Sequence, residues 1–368
     1  MKIDRVVLRE IRLRLRERFE ISSGVRQDRR ILLLEVEADG LKGWSECVAA
    51  EDPSYSYETT ETAWHVLTEF VLPEVIGQEI DQPGDPLRPV GWIRGHRMAL
   101  ATVEMAAWDL DARRRGVSLA EHLGGERDAV EVGVSIGLQP DDDALLRAVE
   151  GHLEAGYAKI KIKIKPGRDV EMLRRVRDRF RDAPLMADAN SAYTLEDLPR
   201  LRELDELDLM MIEQPLPYDD LREHARLQEE MRTPVCLDES IRSVRDVELA
   251  LELGSCRIVN VKPGRVGGLS SSIRIHDFCG ERDVPVWCGG MLESGVGRAH
   301  NLALATLPGF SLPGDISESR RYWEEDVVRP EFRLEEGRLR VPDGPGIGVE
   351  PREGRIDSLT VRRAEFGR

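Results

Sequence analysis

The chain has 368 residues, and its 41% hydrophobic and 33% charged content is typical of a soluble globular protein. Its net charge of −16 argues against nucleic-acid binding, which requires a basic face, and against binding to an anionic membrane surface. We therefore expect no nucleic-acid partner and no membrane partner.

The first 19 residues alternate apolar and charged side chains and contain no signal-peptide core, and no apolar run approaches the length of a membrane span. The five cysteines are scattered and form no CxxC pair, which indicates reduced thiols and not a disulfide or zinc framework. These features predict a cytoplasmic protein.

The N-terminal third of the chain predicts a module of three strands followed by helices. Strand patterns cover residues 3–16, 31–38 and 41–48, and helical spacing covers residues 58–72 and 97–115. In the second helix, apolar residues recur on one face at Ala99, Val103, Ala106, Ala107 and Leu110. We predict an α+β domain over residues 1–125.

From about residue 130, short apolar strands alternate with helical segments. The predicted strands are 130–138, 158–164, 184–189, 209–214, 234–238, 257–262, 284–289 and 310–315. The predicted helices are 142–155, 169–181, 194–204, 219–231, 243–253, 268–281 and 295–306. This order predicts an α/β fold, a (β/α)7β TIM-like barrel over residues 126–325. Residues 326–368 have strand patterns with Gly and Pro turns, and we expect them to return to the N-terminal module.

Five polar residues at the predicted strand ends recur at nearly one interval. Lys163, Asp188, Glu213 and Asp238 are each 25 residues apart, and Lys262 follows 24 residues later. The C-terminal ends of barrel strands gather around one mouth. The spacing therefore predicts three carboxylates and two lysines in a single pocket.

The three carboxylates Asp188, Glu213 and Asp238 end neighbouring strands. Hard oxygen ligands in this arrangement suit octahedral Mg²⁺, and no His or Cys stands at a matching strand end to favour zinc. A strand-end acid can also cap the next helix or face solvent, but three at equal spacing favour a metal site.

Lysine is rare in this chain, and five of its seven lysines lie in two of these strand segments. Unlike arginine, a buried lysine can shift its pKa and act as a base. In KIKIKIK (159–165) the period of two predicts that the isoleucines face the outer helices and that Lys161 and Lys163 point inward, with Lys159 and Lys165 peripheral. An amphipathic edge strand is the alternative, but a closed barrel has no edge.

Lys262 ends the sixth predicted strand, four strands from Lys163 in a ring of eight. The two amines should therefore flank a substrate and could move a proton on opposite faces of one carbon. A divalent ion on a substrate carboxylate would stabilise the enediolate that forms when the α-proton is removed.

Motifs along almost the whole chain resemble the enolase superfamily, in its muconate lactonizing subgroup, and within it the o-succinylbenzoate synthase / N-acylamino acid racemase family. They are GWSECVA (43–49), KIKIKPG (161–167), DAN (188–190), IEQP (212–215), LDES (237–240), IVNVKPGRVGG (258–268), PVWCGGMLESGVGRA (285–299) and LPGD (312–315). A lysine base that works with Mg²⁺ is an established feature of that superfamily. The resemblance implies that Lys163 and Lys262 are the acid/base pair. It also implies that the three carboxylates bind Mg²⁺, for which Mn²⁺ or another divalent ion could substitute.

The same resemblance implies that the N-terminal module and the C-terminal tail form an α+β capping domain over the barrel mouth. A loop at 19–27 would cover the substrate, and the implied substrate contacts are Phe19, Ser135, Lys161, Asn190, Arg265 and Met291. Each has a plainer alternative: a core Phe, a hydrogen-bonding or packing residue, or, for Arg265, a loop salt bridge. Relatives also imply a homo-oligomer, either a dimer or an octamer.

Related subgroups fit the sequence less well. Mandelate-racemase-like members carry His at the end of strand 7 and Asp on strand 6, where this chain has WCGG and Lys262. Dipeptide epimerases carry Asp-x-Asp after strand 8, whereas this chain has Asp315-Ile316-Ser317. Muconate cycloisomerase stays an alternative, although the GGM and LPGD contexts fit it less well.

The resemblance implies a small carboxylate substrate and two enzymatic activities. One is dehydration of a cyclohexadiene carboxylate to o-succinylbenzoate for menaquinone biosynthesis, with Lys163 as the base and Lys262 as a stabilising cation. The other is N-succinylamino acid racemisation, in which both lysines work alternately and which could be the dedicated function. A non-catalytic barrel is disfavoured because all five polar strand-end residues are present.

Overall fold

The computed structural model describes residues 1–21 and 24–367. Its N-terminal part is an antiparallel sheet with a helical layer. The strands are β1 (Ile3–Ile21), β2 (Gly24–Ala38) and β3 (Leu41–Cys47). The helices that follow are α1 (Thr60–Val66), a π-helical turn (Leu67–Val71), α2 (Leu72–Val75), α3 (Arg97–Arg115) and α4 (Leu119–Leu123).

Helix α3 packs on this sheet through the face that the sequence predicts. The five apolar residues that define that face are all buried, and they belong to the core shared with the sheet. The helix ends at Gly116, which adopts φ of 71° and donates its N–H to Ala112 O and Arg113 O. Glycine favours this left-handed end because it has no Cβ to clash.

Seven parallel strands form the barrel sheet, and a short strand, β4 (Ala129–Glu131), precedes them. They are β5 (Gly133–Ile136), β6 (Lys159–Lys163), β7 (Leu185–Asp188), β8 (Ile212–Glu213), β9 (Val235–Leu237), β10 (Ile258–Val261) and β11 (Val286–Cys288). Each is hydrogen-bonded to the next in chain order. This order places β6 and β10 four strands apart.

Helices follow these strands at the seven predicted positions, and a short helix at Pro263–Val266 was not predicted. They are α5 (Asp142–Glu154), α6 (Val170–Arg179), α7 (Leu198–Arg202), α8 (Leu221–Glu230), α9 (Val244–Leu253), α10 (Pro263–Val266), α11 (Leu269–Gly280) and α12 (Gly295–Leu304). Asp141, Asp220, Ser243 and Ser294 each cap the following helix with a side-chain oxygen. No helix in the described ranges has the length and apolar character needed to cross a membrane.

The predicted eighth strand at 310–315 is wrong as a regular strand. Gly314 makes an isolated parallel bridge with Val132 and accepts a hydrogen bond of 2.7 Å from Gly133 N, while Asp315 N donates to Cys288 O at 2.9 Å. This segment therefore joins the two outer strands of the sheet and closes the barrel. Its sequence includes Pro313, which has no N–H to donate to a ladder.

The C-terminal region contributes small sheets and then returns to the first sheet. Its elements are β12 (Val328–Arg329), β13 (Leu334–Glu335), β14 (Arg338–Arg340), β15 (Glu350–Pro351), α13 (Glu353–Leu359) and β16 (Thr360–Gly367). Strand β14 pairs with β4, whereas β16 pairs antiparallel with β1. The first sheet therefore has the order β16-β1-β2-β3.

A buried carboxylate joins α3 to the barrel. Glu104 accepts hydrogen bonds from Leu269 N at 2.8 Å, Ser270 N at 2.9 Å and Trp108 Nε1 at 2.8 Å, and it is 2% exposed. The first two donors are free N–H groups at the start of α11. Glu104 thus caps a barrel helix from the N-terminal layer.

We expect Glu104→Ala to lower the free energy of unfolding by about 2–3 kcal/mol, because it leaves buried donors without a partner. Urea unfolding followed by circular dichroism would measure the change. Glu248→Ala, on the exposed face of α9, is the matched control and should change stability by less than about 0.5 kcal/mol. Equal stability of the two variants would contradict this account of the junction.

Candidate active site

The five predicted strand-end residues all lie at the same end of the barrel. Lys163, Asp188 and Glu213 are the last residues of β6, β7 and β8, and Asp238 and Lys262 directly follow β9 and β10. All five are buried, with exposures between 0 and 6%. Each is paired with a charged neighbour, Lys163 with Asp188, Lys262 with Asp238 and Glu213 with Lys161, so the charge state of each depends on its partner.

Lys163 lies between a carboxylate and an amide. Its Nζ donates to Asp188 Oδ2 and to Asn190 Oδ1, each at 2.6 Å. Asn190 in turn donates from Nδ2 to Glu239 Oε1 at 2.9 Å. These contacts hold the amine at the inner end of the cavity described below.

Lys161 lies deeper, where three carboxylates surround it. Its Nζ is 3.0 Å from Asp188 Oδ2, 3.0 Å from Glu213 Oε2 and 2.6 Å from Asp315 Oδ2. These charge-assisted contacts fix Lys161 as a permanent cation below Lys163. The contact with Asp315 also connects β6 to the segment that closes the barrel.

Lys159 is not peripheral, and that prediction is wrong. Its side chain is fully buried, with Nζ 3.3 Å from Asp315 Oδ1 and 3.4 Å from the centre of the Trp287 ring. Trp287 belongs to a layer that fills the barrel interior together with Met186, Met211, Cys236 and Ile258. Lys165 does lie at the periphery, with its side chain 41% exposed.

Lys262 lies on the far side of the barrel from Lys163. Its Nζ is 2.8 Å from Asp238 Oδ2 and 3.1 Å from Tyr55 Oη. Tyr55 comes from the chain after β3 and also donates to Asp238 Oδ1 at 3.1 Å. A residue of the N-terminal part of the chain thus completes this half of the site.

Arg265 lies behind Asp238 and does not line the cavity above the lysines that is described below; it lines a neighbouring cavity together with Tyr55 and Asn190. It pairs with Asp238 and donates to Ile241 O at 2.6 Å and to Asn260 O at 2.5 Å. Its assignment as a substrate contact therefore lacks support from the geometry. The alternative prediction, that Arg265 forms a salt bridge, agrees with the observed pair, which holds Asp238 beside Lys262.

The surroundings of the three inward lysines separate their pKa values. Burial and the neighbouring charge of Lys161 lower the pKa of Lys163 despite its contact with Asp188. Burial also opposes the charge on Lys161, but Asp315, Glu213 and Asp188 outweigh it and raise the pKa of Lys161 well above the ordinary value. Burial likewise opposes the charge on Lys262, but Tyr55, Glu213 and Glu239 outweigh it and raise the pKa of Lys262. Lys163 is therefore the amine best suited to accept a proton.

The carboxylates Asp188, Glu213 and Asp238 have the donor chemistry of a magnesium site, although their oxygens face lysines and Arg265. Within residues 1–21 and 24–367, no three His, Cys, Asp or Glu side chains converge on one point. Asp188 and Glu213 are paired in register, and all three are at most 1% exposed. Three buried hard-oxygen donors at adjacent strand ends fit the ligand chemistry of Mg²⁺.

A cavity of about 730 Å³ opens above the lysines. Five of the predicted substrate contacts line it, namely Phe19, Ser135, Lys161, Asn190 and Met291. Ser135 Oγ is buried and has no hydrogen-bond partner within the described part of the chain. This hydroxyl is therefore free to bind a molecule in the cavity.

The predicted loop at 19–27 is largely a strand pair. Phe19 pairs with Arg26, Glu20 with Val25 and Ile21 with Gly24, so β1 and β2 stay paired up to these residues. Residues 22–23 lie outside the described residues. The strand pair reaches the cavity through Phe19 and Arg26, which means that a covering role for these strands is compatible with the geometry.

Several cavity residues were not found by sequence reasoning. Arg26, Arg29, Tyr55, Asp315 and Tyr322 also line the cavity. The alternation of β2 places Arg29 and the apolar residues 31 and 33 on one face, and this pattern could have marked Arg29 as buried. Tyr55 lies in an irregular segment, and no periodic signal marks it.

Family comparisons agree over nearly the whole chain. Residues 3–124 match the family model for the mandelate racemase / muconate lactonizing enzyme N-terminal domain, and residues 144–355 match the model described as enolase C-terminal domain-like. These two matches together cover well over half of the chain.

Individual relatives extend these matches. An o-succinylbenzoate synthase from Geobacillus kaustophilus is 52% identical over 361 residues, covering 98% of this chain and 96% of that protein. An N-succinylamino acid racemase from Thermus thermophilus is 49% identical over 361 residues, covering 98% of both. A solved structure of an enolase superfamily member from Listeria innocua has a TM-score of 0.95 and 42% identity, and the match covers 99% of this chain and 98% of that one.

Proposed function

Because the chain belongs to the enolase superfamily, we propose that it removes a proton α to a substrate carboxylate and passes through an enediolate. The observation that carries this proposal is the pair of buried amines, Lys163 and Lys262, on strands four apart and in different electrostatic surroundings. A base and a cation on opposite sides of one cavity suit this chemistry.

The first proposed reaction is dehydration to o-succinylbenzoate. Lys163 takes the α-proton as a neutral amine and then gives a proton to the departing hydroxide on the same face. Lys262 stays protonated and stabilises the negative charge that develops on the substrate. Lys161 is held between three carboxylates and serves as a second fixed cation.

The second proposed reaction is racemisation of N-succinylamino acids at the same site. Lys163 and Lys262 would alternate as base and acid, and their placement on opposite sides of the barrel suits two-faced proton transfer. The relatives with this name and with the synthase name are about equally similar to the chain. We therefore propose both activities, with a dedicated racemase as the alternative.

Asp188, Glu213 and Asp238 are proposed to hold Mg²⁺, with Mn²⁺ or another divalent ion able to substitute. When bound, the ion would neutralise the substrate carboxylate and stabilise the charge of the enediolate. Dimeric or octameric assembly and a cytoplasmic location stay predictions.

Asp315 supports the choice against a free-amine dipeptide substrate. Both of its carboxylate oxygens face lysines, Lys159 at 3.3 Å and Lys161 at 2.6 Å. The residue two positions later is Ser317, which carries no charge. The site therefore lacks a free carboxylate pair for an α-ammonium group at this position.

The decisive experiment compares turnover of the cyclohexadiene carboxylate precursor of o-succinylbenzoate with racemisation of N-succinylphenylalanine, each with Mg²⁺. We expect both reactions, and we expect EDTA to stop both. Racemisation without dehydration would make the dedicated racemase the correct assignment. Failure of both reactions would refute the proposed function.

A further inference from the structure

Two arginines of β2, Arg26 and Arg29, line the catalytic cavity and keep N–H donors without a partner among the described residues. Arg29 is 1% exposed. No carboxylate of the described residues is within 4.0 Å of its guanidinium nitrogens, although the charges of Glu51, Glu46 and Glu293 act on it from farther away. Its Nη atoms donate only to the carbonyl oxygens of Val48, Ala49 and Met291, at 3.3–3.5 Å. These are long hydrogen bonds, and its Nε has no partner in the part of the chain that the structure describes.

Arg26 reaches the same cavity from nearer the start of β2. Its side chain is 12% exposed, and its Nη2 is 3.2 Å from Asp52 Oδ2. Its Nη1 is buried, lies 4.0 Å from Glu51 Oε2 and makes no hydrogen bond within the described residues. Each arginine therefore has an N–H donor to spare beside the cavity.

Arg30, the next residue after Arg29, has the carboxylate contacts that Arg29 lacks. Arg30 points to the other face of β2, where it donates from Nε to Glu10 Oε1 at 2.6 Å and pairs with Glu61. The buried guanidinium of Arg29 is costly, because its charge has lost water and has no carboxylate in direct contact. Burial accordingly lowers the pKa of Arg29. An anion entering the cavity would supply the missing charge.

The two ends of the cavity differ in origin. Lys161, Lys163 and Lys262 lie at its barrel end, where the reacting carboxylate belongs under the proposed function. Arg26 and Arg29 belong to β2, and Phe19 and Met291 supply apolar surface to the same cavity. A molecule with a carboxylate at each end and a short apolar arm between them matches this lining.

We infer that Arg26 and Arg29 bind the remote carboxylate of a dicarboxylate substrate and set the preference for a succinyl arm. This inference rests on the proposed function and names residues that determine its specificity. The planar guanidinium groups suit a carboxylate because they can donate two parallel hydrogen bonds. A neutral acyl arm would leave the same donors buried and unpaired, so it should be rejected.

The test compares N-succinylphenylalanine with N-succinamylphenylalanine, in which an uncharged amide replaces the remote carboxylate. For the wild-type protein, kcat/KM should favour the succinyl substrate. Arg29→Gln and Arg26→Gln should each reduce that preference by about 10- to 100-fold, the range expected for a lost charged hydrogen bond. Arg29→Lys, which keeps the charge, should retain part of the preference.

Arg30→Gln is the matched control, because it removes an arginine from the adjacent position on the opposite face, and it should leave the preference intact. An unchanged preference in both Arg26→Gln and Arg29→Gln would overturn the inference. An equal loss for both substrates would also overturn it, because it would indicate that the arginines only support the fold.

A binding measurement separates this inference from the proposed function. In a Lys163→Ala background, calorimetric titration would compare the Kd values of the two molecules with and without Arg29→Gln. Loss of a succinyl preference of about 10- to 100-fold would support the arginine site even if the wild type showed no turnover. Equal Kd values for both molecules in the presence of Arg26 and Arg29 would overturn it, even if turnover were observed.

Discussion

Lys163→Ala is expected to lower kcat/KM for both proposed reactions by about 10²- to 10⁴-fold, the range that a positioned general base contributes. Lys163 is the inward lysine whose pKa is lowered by burial and by the charge of Lys161. Lys161 is held as a cation by three carboxylates, and Lys262 lies on the opposite side of the barrel, so neither can replace Lys163 on its face of the substrate in dehydration. Steady-state kinetics with the cyclohexadiene precursor and with N-succinylphenylalanine would measure the loss.

Two further variants separate charge from proton transfer. Lys163→Arg keeps a cation beside Asp188 but cannot act as a base near neutral pH, so it should be nearly as inactive as Lys163→Ala. Lys165→Ala is the matched control, because Lys165 lies two residues after Lys163 in the chain and its side chain is partly exposed. Substantial dehydration by Lys163→Ala would refute the assigned role of this lysine.

The pH dependence of the wild-type enzyme should report the same group. Lys163 must be neutral to accept a proton, so kcat/KM should rise as the pH increases through its pKa. Because that pKa is lowered, the rise should lie below the range of an ordinary lysine. A rise only in the ordinary lysine range would contradict the electrostatic separation of the three amines.

The convergence of the five strand-end residues could be predicted because it depends on repetition. One strand, one helix and two short loops take about the same length each time, so a constant interval marks equivalent positions in successive units. Lys163, Asp188 and Glu213 accordingly end consecutive strands in register. Their contacts follow from topology, which the interval encodes.

The position of Lys159 could not be predicted, because it depends on the neighbouring strand. Gly133 of β5 pairs with Lys159, and a Cβ at Gly133 would lie 2.7 Å from Lys159 Cε. The glycine opens the space into which the lysine turns towards Trp287 and Asp315. The alternation of the strand predicts that Lys159 points into the barrel. Only the identity of its partner on β5, Gly133, shows that a buried ammonium group has room there.

Tyr55, Arg26 and Arg29 were missed for a related reason. Their positions at the cavity depend on how the first sheet and the segment after β3 approach the barrel, with Tyr55 Oη 3.1 Å from Lys262 Nζ. Contacts between units that are distant in the chain leave no periodic signal. The sequence thus predicts the barrel half of the site better than the half that covers it.

Removal of divalent ions is expected to abolish both reactions, and the reason lies in the contacts of the two lysines. Lys163 donates to Asp188 at 2.6 Å and Lys262 donates to Asp238 at 2.8 Å. Each proposed acid/base group is thus paired with a proposed metal ligand. A lysine in such a pair is held as an ammonium, and an ammonium cannot accept a proton.

Occupation of the carboxylates by a divalent ion should therefore free Lys163 as well as bind the substrate. Asp188 is the group that most favours the charge on Lys163, so its loss as a counter-ion should lower the pKa of Lys163 further. EDTA-treated protein should be inactive, and Mg²⁺ should restore activity, with Mn²⁺ able to substitute. Full activity after removal of divalent ions, verified by metal analysis, would refute the proposed metal requirement.

Glu213→Gln tests the ion-binding role without using turnover. Wild-type protein should unfold at a higher temperature in Mg²⁺ than in EDTA, because a ligand that binds only the folded state stabilises it by about 2.7 kcal/mol at 100 times its Kd. Glu213→Gln removes one carboxylate charge and should lose most of that shift. Glu104→Gln, another buried glutamate that lies at the α3–α11 junction, should retain the shift even if its baseline stability falls. Equal Mg²⁺-dependent shifts in the two variants would show that the ion binds elsewhere. The carboxylates at the strand ends would then serve only as partners of the lysines.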